Sequence, residues 1–233
     1  MSETKSVGVI GGLGPAATLD FFDRILKRTK ALHDQDHLRL IIDNNTKIPD
    51  RNAYQRGDGP SPGPALAAAA HALETVGAEF IVMACNTAHA WEAEIRAAIS
   101  VPFISIIEET TKVVADLKPE RAGVLAVDAC LASSLYQDAL KKAGVAPVLL
   151  NADSQRTFME LIYRIKSGDT RDMVRRSMST LARKLEAQGA EVIIAGCTEV
   201  PLVLTADDIN NELVNSTDVL VERTICFAGG ELK

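Results

Sequence analysis

Two cysteines stand at matching points of a repeated segment. Residues 73–85 read LETVGAEFIVMAC and residues 185–197 read LEAQGAEVIIAGC, and seven of the thirteen positions agree. Each segment reads as a helix end, a glycine stop and a buried strand that delivers a cysteine at its C-terminal end. Cys85 and Cys197 lie 112 residues apart, so the repeat is domain-sized. Two thiols offered from equivalent points of two related halves could flank one ligand. That arrangement suits a reaction that takes a proton from one face of a carbon and returns one to the other. Cysteine is also a small apolar residue that ends buried strands. For one thiol alone the two readings balance. Two thiols in matching frames, each followed by a polar pair, favour chemistry.

The polar pairs are Asn86-Thr87 and Thr198-Glu199. They supply donors and acceptors beside each thiol, and the threonines could also cap the helices that follow. A helix N-terminus at that point would favour a thiolate and would accept a carboxylate. GGLGPAAT at 11–18 follows the first apolar run. It lacks the GxGxxG spacing of a dinucleotide site and the GK[ST] of a P-loop. Gly12 and Leu13 therefore belong either to a tight turn or to an anion-binding turn. DNNTKIPDR at 43–51 ends a strand and offers Arg51, a residue type that grips carboxylates through two parallel hydrogen bonds. Taken alone, Arg51 reads as a surface arginine and Lys166 as a dipole-compensating lysine at a helix end. His89 reads as a capping or packing histidine. Cys130 and Cys226 read as packing residues.

The elements that must position these groups alternate along the chain. Strands are expected near Val7–Ile10, Leu38–Asp43, Phe80–Ala84, Phe103–Ser105, Gly123–Val127, Pro147–Leu150 and Val192–Gly196. Several are unbroken Val/Ile/Leu runs, the mark of parallel strands covered on both faces. Helices are expected near Pro15–Lys30, Ala65–Val76, Thr87–Ile99, Glu108–Leu117, Ala132–Lys142, Ser154–Lys166, Thr170–Gln188 and Thr217–Phe227. Alternating strand and helix units imply an α/β fold with doubly wound parallel sheets. SVGVIGGLGP at the N-terminus resembles RAGVLAVDAC at 121–130, so each half opens with one such strand and later carries a cysteine strand. The halves are expected to be residues 1–103 with 208–233, holding Cys85, and residues 104–207, holding Cys197. RGDGPSPGP at 56–64 reads as a long mobile loop.

Composition narrows the function classes. The formal charge of −6 lacks the basic excess of a nucleic-acid binder. No apolar run approaches membrane-spanning length, and none reads as a signal peptide. Four widely spaced cysteines in 233 residues, with no CxxC pair, read as free thiols of a cytoplasmic protein and not as a disulfide framework or a metal site. An apolar fraction of 47% can build a sizeable core.

With these residues in hand, the chain resembles the cofactor-independent aspartate/glutamate racemase family. The motifs GGLGPAAT, DNNTKIPDR, CNTAHA, IEET and GCTEVP carry the resemblance nearly end to end. The CTE form and the Arg51 segment are more similar to aspartate racemases than to glutamate racemases. The resemblance implies two pseudo-symmetric domains with the active site in the cleft between them, and Cys85 and Cys197 as the two acid/base residues. It implies that Arg51 and Lys166 hold substrate carboxylates. It implies that Asn86, Thr87 and Thr198 match carboxylate- and ammonium-binding positions; Gly12, Leu13 and Glu199 are expected to bind substrate beside them. It implies no cofactor, an acidic amino acid as substrate, aspartate before glutamate, and a homodimer. One departure stands out: VDAC at 127–130 replaces the Thr-x-Gly-Thr that many members carry. A decarboxylase or dicarboxylate isomerase of the same superfamily, or a binding protein for acidic amino acids, is the alternative.

Overall fold

The computed structural model describes residues 4–233, which form two compact units. The first runs to Glu109 and resumes with Thr217–Lys233; the second is Thr110–Ser216. In the first unit the chain passes through β1 (Val7–Gly11), α1 (Pro15–Arg28), β2 (Leu40–Asn44), α2 (Arg51–Gln55), α3 (Gly63–Thr75), β3 (Phe80–Met83), α4 (Glu92–Ala97) and β4 (Phe103–Ile104). Helix α5 (Ile106–Asp116) starts here and ends in the second unit. There follow β5 (Arg121–Leu125), α6 (Asp128–Ala132), α7 (Leu135–Lys142), β6 (Ala146–Val148), α8 (Ala152–Lys166), α9 (Asp172–Ala187), β7 (Val192–Ala195) and β8 (Glu212–Asn215). Helix α10 (Ser216–Ala228) returns the chain to the first unit.

Each unit holds a four-stranded parallel sheet, and the strand orders correspond: β2-β1-β3-β4 and β6-β5-β7-β8. The apolar runs are central strands. Val7, Val9, Ile10 and all of β3 are buried in one sheet, as are Val124, Leu125, Ile193 and Ile194 in the other. The chain reverses direction across each sheet between β1 and β3 and between β5 and β7. Such a switch point leaves a crevice at the carboxyl ends of the strands. Cys85 and Cys197 both lie two residues beyond their strands at that edge.

The sequence repeat has a physical basis inside each unit. A Cβ at Gly8 would meet Ile81 Cδ1 at 2.5 Å, Ala78 Cβ at 2.8 Å and Leu73 Cβ at 3.2 Å. A Cβ at Gly123 would meet Ile193 Cδ1 at 2.8 Å, Ala190 Cβ at 3.1 Å and Leu185 Cβ at 2.9 Å. The same three walls recur because α3 and α9 press equally close on β1 and β5, and only glycine fits beneath them. The glutamate of each GAE also recurs. Glu79 Oε2 accepts from the Ser6 backbone N–H at 2.7 Å, and Glu191 Oε2 accepts from that of Glu120 at 3.1 Å. Each ties the cysteine strand to the start of its neighbour.

Several expectations need correction. Strand β8 was not anticipated: ELVN is short and half polar, so it carries no run of apolar residues. The polar stretch ending in Arg51 continues as α2, whose N-cap Asp50 accepts from the Ala53 N–H at 2.7 Å. The helix expected from Thr87 opens as a tighter 3₁₀ segment, Thr87–Trp91. The helix expected over 132–142 breaks at Ser133-Ser134, where Ser134 takes a left-handed φ of 53°. The segment expected as a long mobile loop is pinned and short. Trp91 Nε1 donates to Ser61 Oγ at 3.1 Å, the Trp91 ring meets Tyr54 edge-on at 5.4 Å, and α3 begins at Gly63. Cys226 does not pack; it is exposed beside Ile104, Arg223 and Phe227.

Candidate functional site

In the first unit, the turns after β1 and β3 sit side by side at the switch point, and the Ala84 N–H donates to the Ile10 carbonyl at 3.3 Å. The GGLG turn is tight. Gly12 has φ +80°, and a Cβ there would strike the Asn45 backbone at 2.5 Å. Its N–H donates to Thr18 Oγ1 at 2.9 Å, and Thr18 donates in turn to the Gly14 carbonyl at 3.1 Å. The Gly12 amide is thus committed within the turn. The Leu13 carbonyl accepts from Arg51 Nη2 at 2.6 Å, and the Pro49 carbonyl accepts from Nη1 at 3.2 Å. Backbone carbonyls therefore aim the Arg51 guanidinium without neutralising it. Among the described residues no acidic side chain pairs with it. The sequence reading brought Gly12, Leu13 and Arg51 forward separately, and the fold makes them one assembly.

Cys85 is buried, with Asn86 and Thr87 buried beside it. His89, four residues on, is also buried, and both of its ring nitrogens have backbone partners. Its Nδ1 lies 2.8 Å from the Cys85 carbonyl oxygen, and its Nε2 lies 3.1 Å from the Ile106 backbone nitrogen. A carbonyl can only accept and a backbone N–H can only donate, so the partners select the neutral Nδ1–H tautomer. Burial pushes the imidazole down from 6.5 to about 4, which keeps it neutral.

The second unit treats its thiol differently. Cys197 Sγ donates to Glu199 Oε2 at 2.9 Å, and the other carboxylate oxygen is ion-paired to Lys166, the last residue of α8. Burial raises the Cys197 thiol well above its usual range; the Glu199 charge adds to this and Lys166 opposes it. The helix N-terminus expected to favour a thiolate is absent at this point. Only the three-residue 3₁₀ turn Val200–Leu202 follows. Neither threonine occupies an N-cap: Asn86 and Glu199 take those positions, without side-chain capping bonds. Lys166, expected to hold a substrate carboxylate, holds Glu199.

Tyr136 was not singled out from the sequence. Its ring packs where a Cβ on Gly196 would lie, 2.9 Å from Cε2, and its hydroxyl bonds to Ser216, which donates to the Ala195 carbonyl at 2.7 Å. It thus backs the segment that carries Cys197. A lone tyrosine on an amphipathic helix gives no signal of this. Cys130 is fully buried in α6, as expected of a packing residue. Among the described residues, no group of three or more His, Cys, Asp or Glu side chains is placed to hold a metal ion, and no helix is long and apolar enough to cross a membrane.

Comparison with known proteins places these features in a family. The family model described as Asp/Glu/Hydantoin racemase matches residues 10–224. The broad specificity amino-acid racemase of Bacillus subtilis is 30% identical over 227 residues, covering 94% of this chain and 96% of that protein. A glutamate racemase of Koribacter versatilis is 31% identical over 205 residues, covering 84% of this chain and 64% of that protein. Among solved structures, the aspartate racemase of Picrophilus torridus superposes with a TM-score of 0.89 at 30% identity, covering 98% of this chain and 96% of that one.

Proposed function

Since this chain belongs to the Asp/Glu/hydantoin racemase family, we propose that it racemises an acidic amino acid, aspartate before glutamate, with Cys85 and Cys197 as the two bases and no cofactor. The observation that carries this reading is the duplicated frame. Each unit delivers one buried thiol two residues beyond the third strand of the same strand order. A reaction with one base would need only one such delivery.

In the proposed reaction one sulfur, as thiolate, takes the α-proton. The C–H electron pair moves into the α-carboxylate, and the second thiol returns a proton to the opposite face. An α-hydrogen is far too weakly acidic for an unaided thiolate, so the developing charge needs fixed positive partners. Arg51, aimed by Leu13 and Pro49, is the best placed of the expected cations. Glu199 faces the Cys197 proton directly, with its charge balanced by Lys166. We assign it to the acid/base side of the reaction and not to substrate binding.

The test is proton NMR of L- and D-aspartate in heavy water with metal-free, pyridoxal-free protein, alongside circular dichroism. Racemisation predicts loss of the α-hydrogen signal and convergence of both enantiomers. Loss of carbon dioxide without racemisation points to a decarboxylase, and no reaction points to a binding protein. Activity that needs added pyridoxal phosphate or metal removes the cofactor-free reading.

A broader substrate range is favoured by one observation. Lys166 is already paired with Glu199, which leaves Arg51 as the expected cation without an acidic partner. The Bacillus subtilis relative is named for broad specificity. A panel of aspartate, glutamate, alanine, serine and lysine decides between the two ranges. Size-exclusion chromatography with light scattering tests the homodimer that the family resemblance implies.

A further inference from the structure

We infer that His89 is a positioning residue for Cys85, a neutral imidazole that fixes the peptide next to the thiol by bridging it to the first turn of α5. The Cys85 carbonyl belongs to the Cys85–Asn86 peptide, so its orientation sets where the Cα–Cβ bond of Cys85 points. His89 Nδ1–H holds that carbonyl at 2.8 Å. Its other nitrogen accepts from the Ile106 N–H at 3.1 Å, one of the backbone donors that a helix start leaves without an intrahelical partner. The ring is locked from a third side by Phe103 of β4, with centroids 5.4 Å apart. One imidazole thus joins the end of β3, the 3₁₀ segment, β4 and α5.

The second unit has no such brace at the matching place. The residue four beyond Cys197 is Pro201, which has no side-chain donor, and the Cys197 carbonyl accepts instead from the Val200 backbone N–H at 2.9 Å. There the partner side chain, Glu199, meets the sulfur itself. The two thiols share a frame and differ in control: one is set by its backbone, the other by a carboxylate on Sγ. Losing His89 should therefore disturb Cys85 and leave Cys197 as it was.

Two variants and one spectrum test this. His89→Phe keeps an aromatic ring against Phe103 and removes the hydrogen bonds of both ring nitrogens. His89→Asn keeps a donor of similar reach for the Cys85 carbonyl. Alkylation by iodoacetamide, followed for each cysteine by peptide mass spectrometry, needs no assumption about the reaction. In His89→Phe the ratio of the Cys85 rate to the Cys197 rate should change at least fivefold, and His89→Asn should bring it back toward the wild-type value. Solvent-deuterium exchange of each aspartate enantiomer is a second arm, which rests on the racemase reading. His89→Phe should slow retentive exchange of the enantiomer whose proton Cys85 takes at least tenfold more than that of the other, while the two racemisation directions fall together because enantiomers are equal in free energy. An equal loss of retentive exchange for both enantiomers, or an unchanged alkylation ratio, overturns the inference. Absence of exchange in the wild-type protein overturns the racemase reading alone, and alkylation then decides the role of His89. If His89→Phe does not fold, nitrogen-15 NMR of the wild-type imidazoles stands in. It must show His89 protonated on Nδ1 at neutral pH, and protonation on Nε2 sinks the proposal.

Discussion

A carboxylate 2.9 Å from a thiol sets the residue-scale behaviour of the second unit. Glu199 disfavours the Cys197 thiolate and Lys166 favours it, with burial the largest influence. Glu199→Gln removes the opposing charge and leaves that of Lys166. Cys197 should then ionise at lower pH, so its alkylation profile should move down the pH axis, with Cys85 as the internal reference. A shift to higher pH would mean that Glu199 does not face the sulfur in solution. The same variant should racemise more slowly, because the thiol gives up its proton to a poorer acceptor. Arg51→Ala is the companion test. It should raise KM for acidic amino acids by more than tenfold, and an equal effect on alanine would remove Arg51 from side-chain carboxylate recognition. Cys85→Ala and Cys197→Ala should each abolish racemisation while retaining exchange of opposite enantiomers. Both retaining exchange of the same enantiomer would show that the thiols do not serve opposite faces.

At the scale of elements, one helix in each unit presses closely on the strand beside the cysteine strand. Gly8 lies under α3 and Gly123 under α9, each against a leucine, an alanine and an isoleucine. Gly8→Val and Gly123→Val should each cost about 1–3 kcal/mol by overpacking. Denaturant unfolding measures this, and two neutral substitutions would mean that the packing is looser than these distances. The repeat made this architecture legible, since the apolar runs between Gly-Ala-Glu and Cys can only be central strands. It also held an unused clue to β8. A strand equivalent to β4 had to exist in the second half, and its duplicate order places it beside β7. ELVN escaped notice because an edge strand needs only one buried residue here, Val214. The break at Ser134 escaped for a related reason. Apolar periodicity runs through a helix kink without recording the turn.

At the scale of the whole molecule, the buried neutral His89 couples stability to acidity. Its folded value of about 4 lies below its ordinary 6.5, so between these pH values the unfolded chain binds the proton that the fold refuses. Stability should therefore fall as pH drops from about 6.5 to about 4, by about 1.4 kcal/mol for each unit of displacement, with no further loss from this group below that. The charged groups that act on it are Glu92, which raises its affinity for a proton, and Arg96, which lowers it. Urea unfolding at stepped pH should show this slope in the wild-type protein and a flatter one in His89→Asn. Identical slopes would mean that the imidazole is solvated.

The sequence by itself determined the α/β class, the duplication and the two thiols at strand ends. Those features are written in local periodicity and in residues that must recur for a repeat to pack. It also brought forward Arg51, Gly12 and Leu13, but without their relation to one another. Only the tertiary structure decided that Leu13 aims Arg51, that Glu199 binds Cys197 and Lys166 together, and that His89 holds the Cys85 carbonyl. The physical reason is that a hydrogen bond is set by direction within a few tenths of an ångström. The Leu13–Arg51 and Lys166–Glu199 pairs join residues more than thirty positions apart, and no periodicity encodes such a pair. Even the short-range pairs depend on the turn type after the strand, where a 3₁₀ segment stands in place of the expected α-helix.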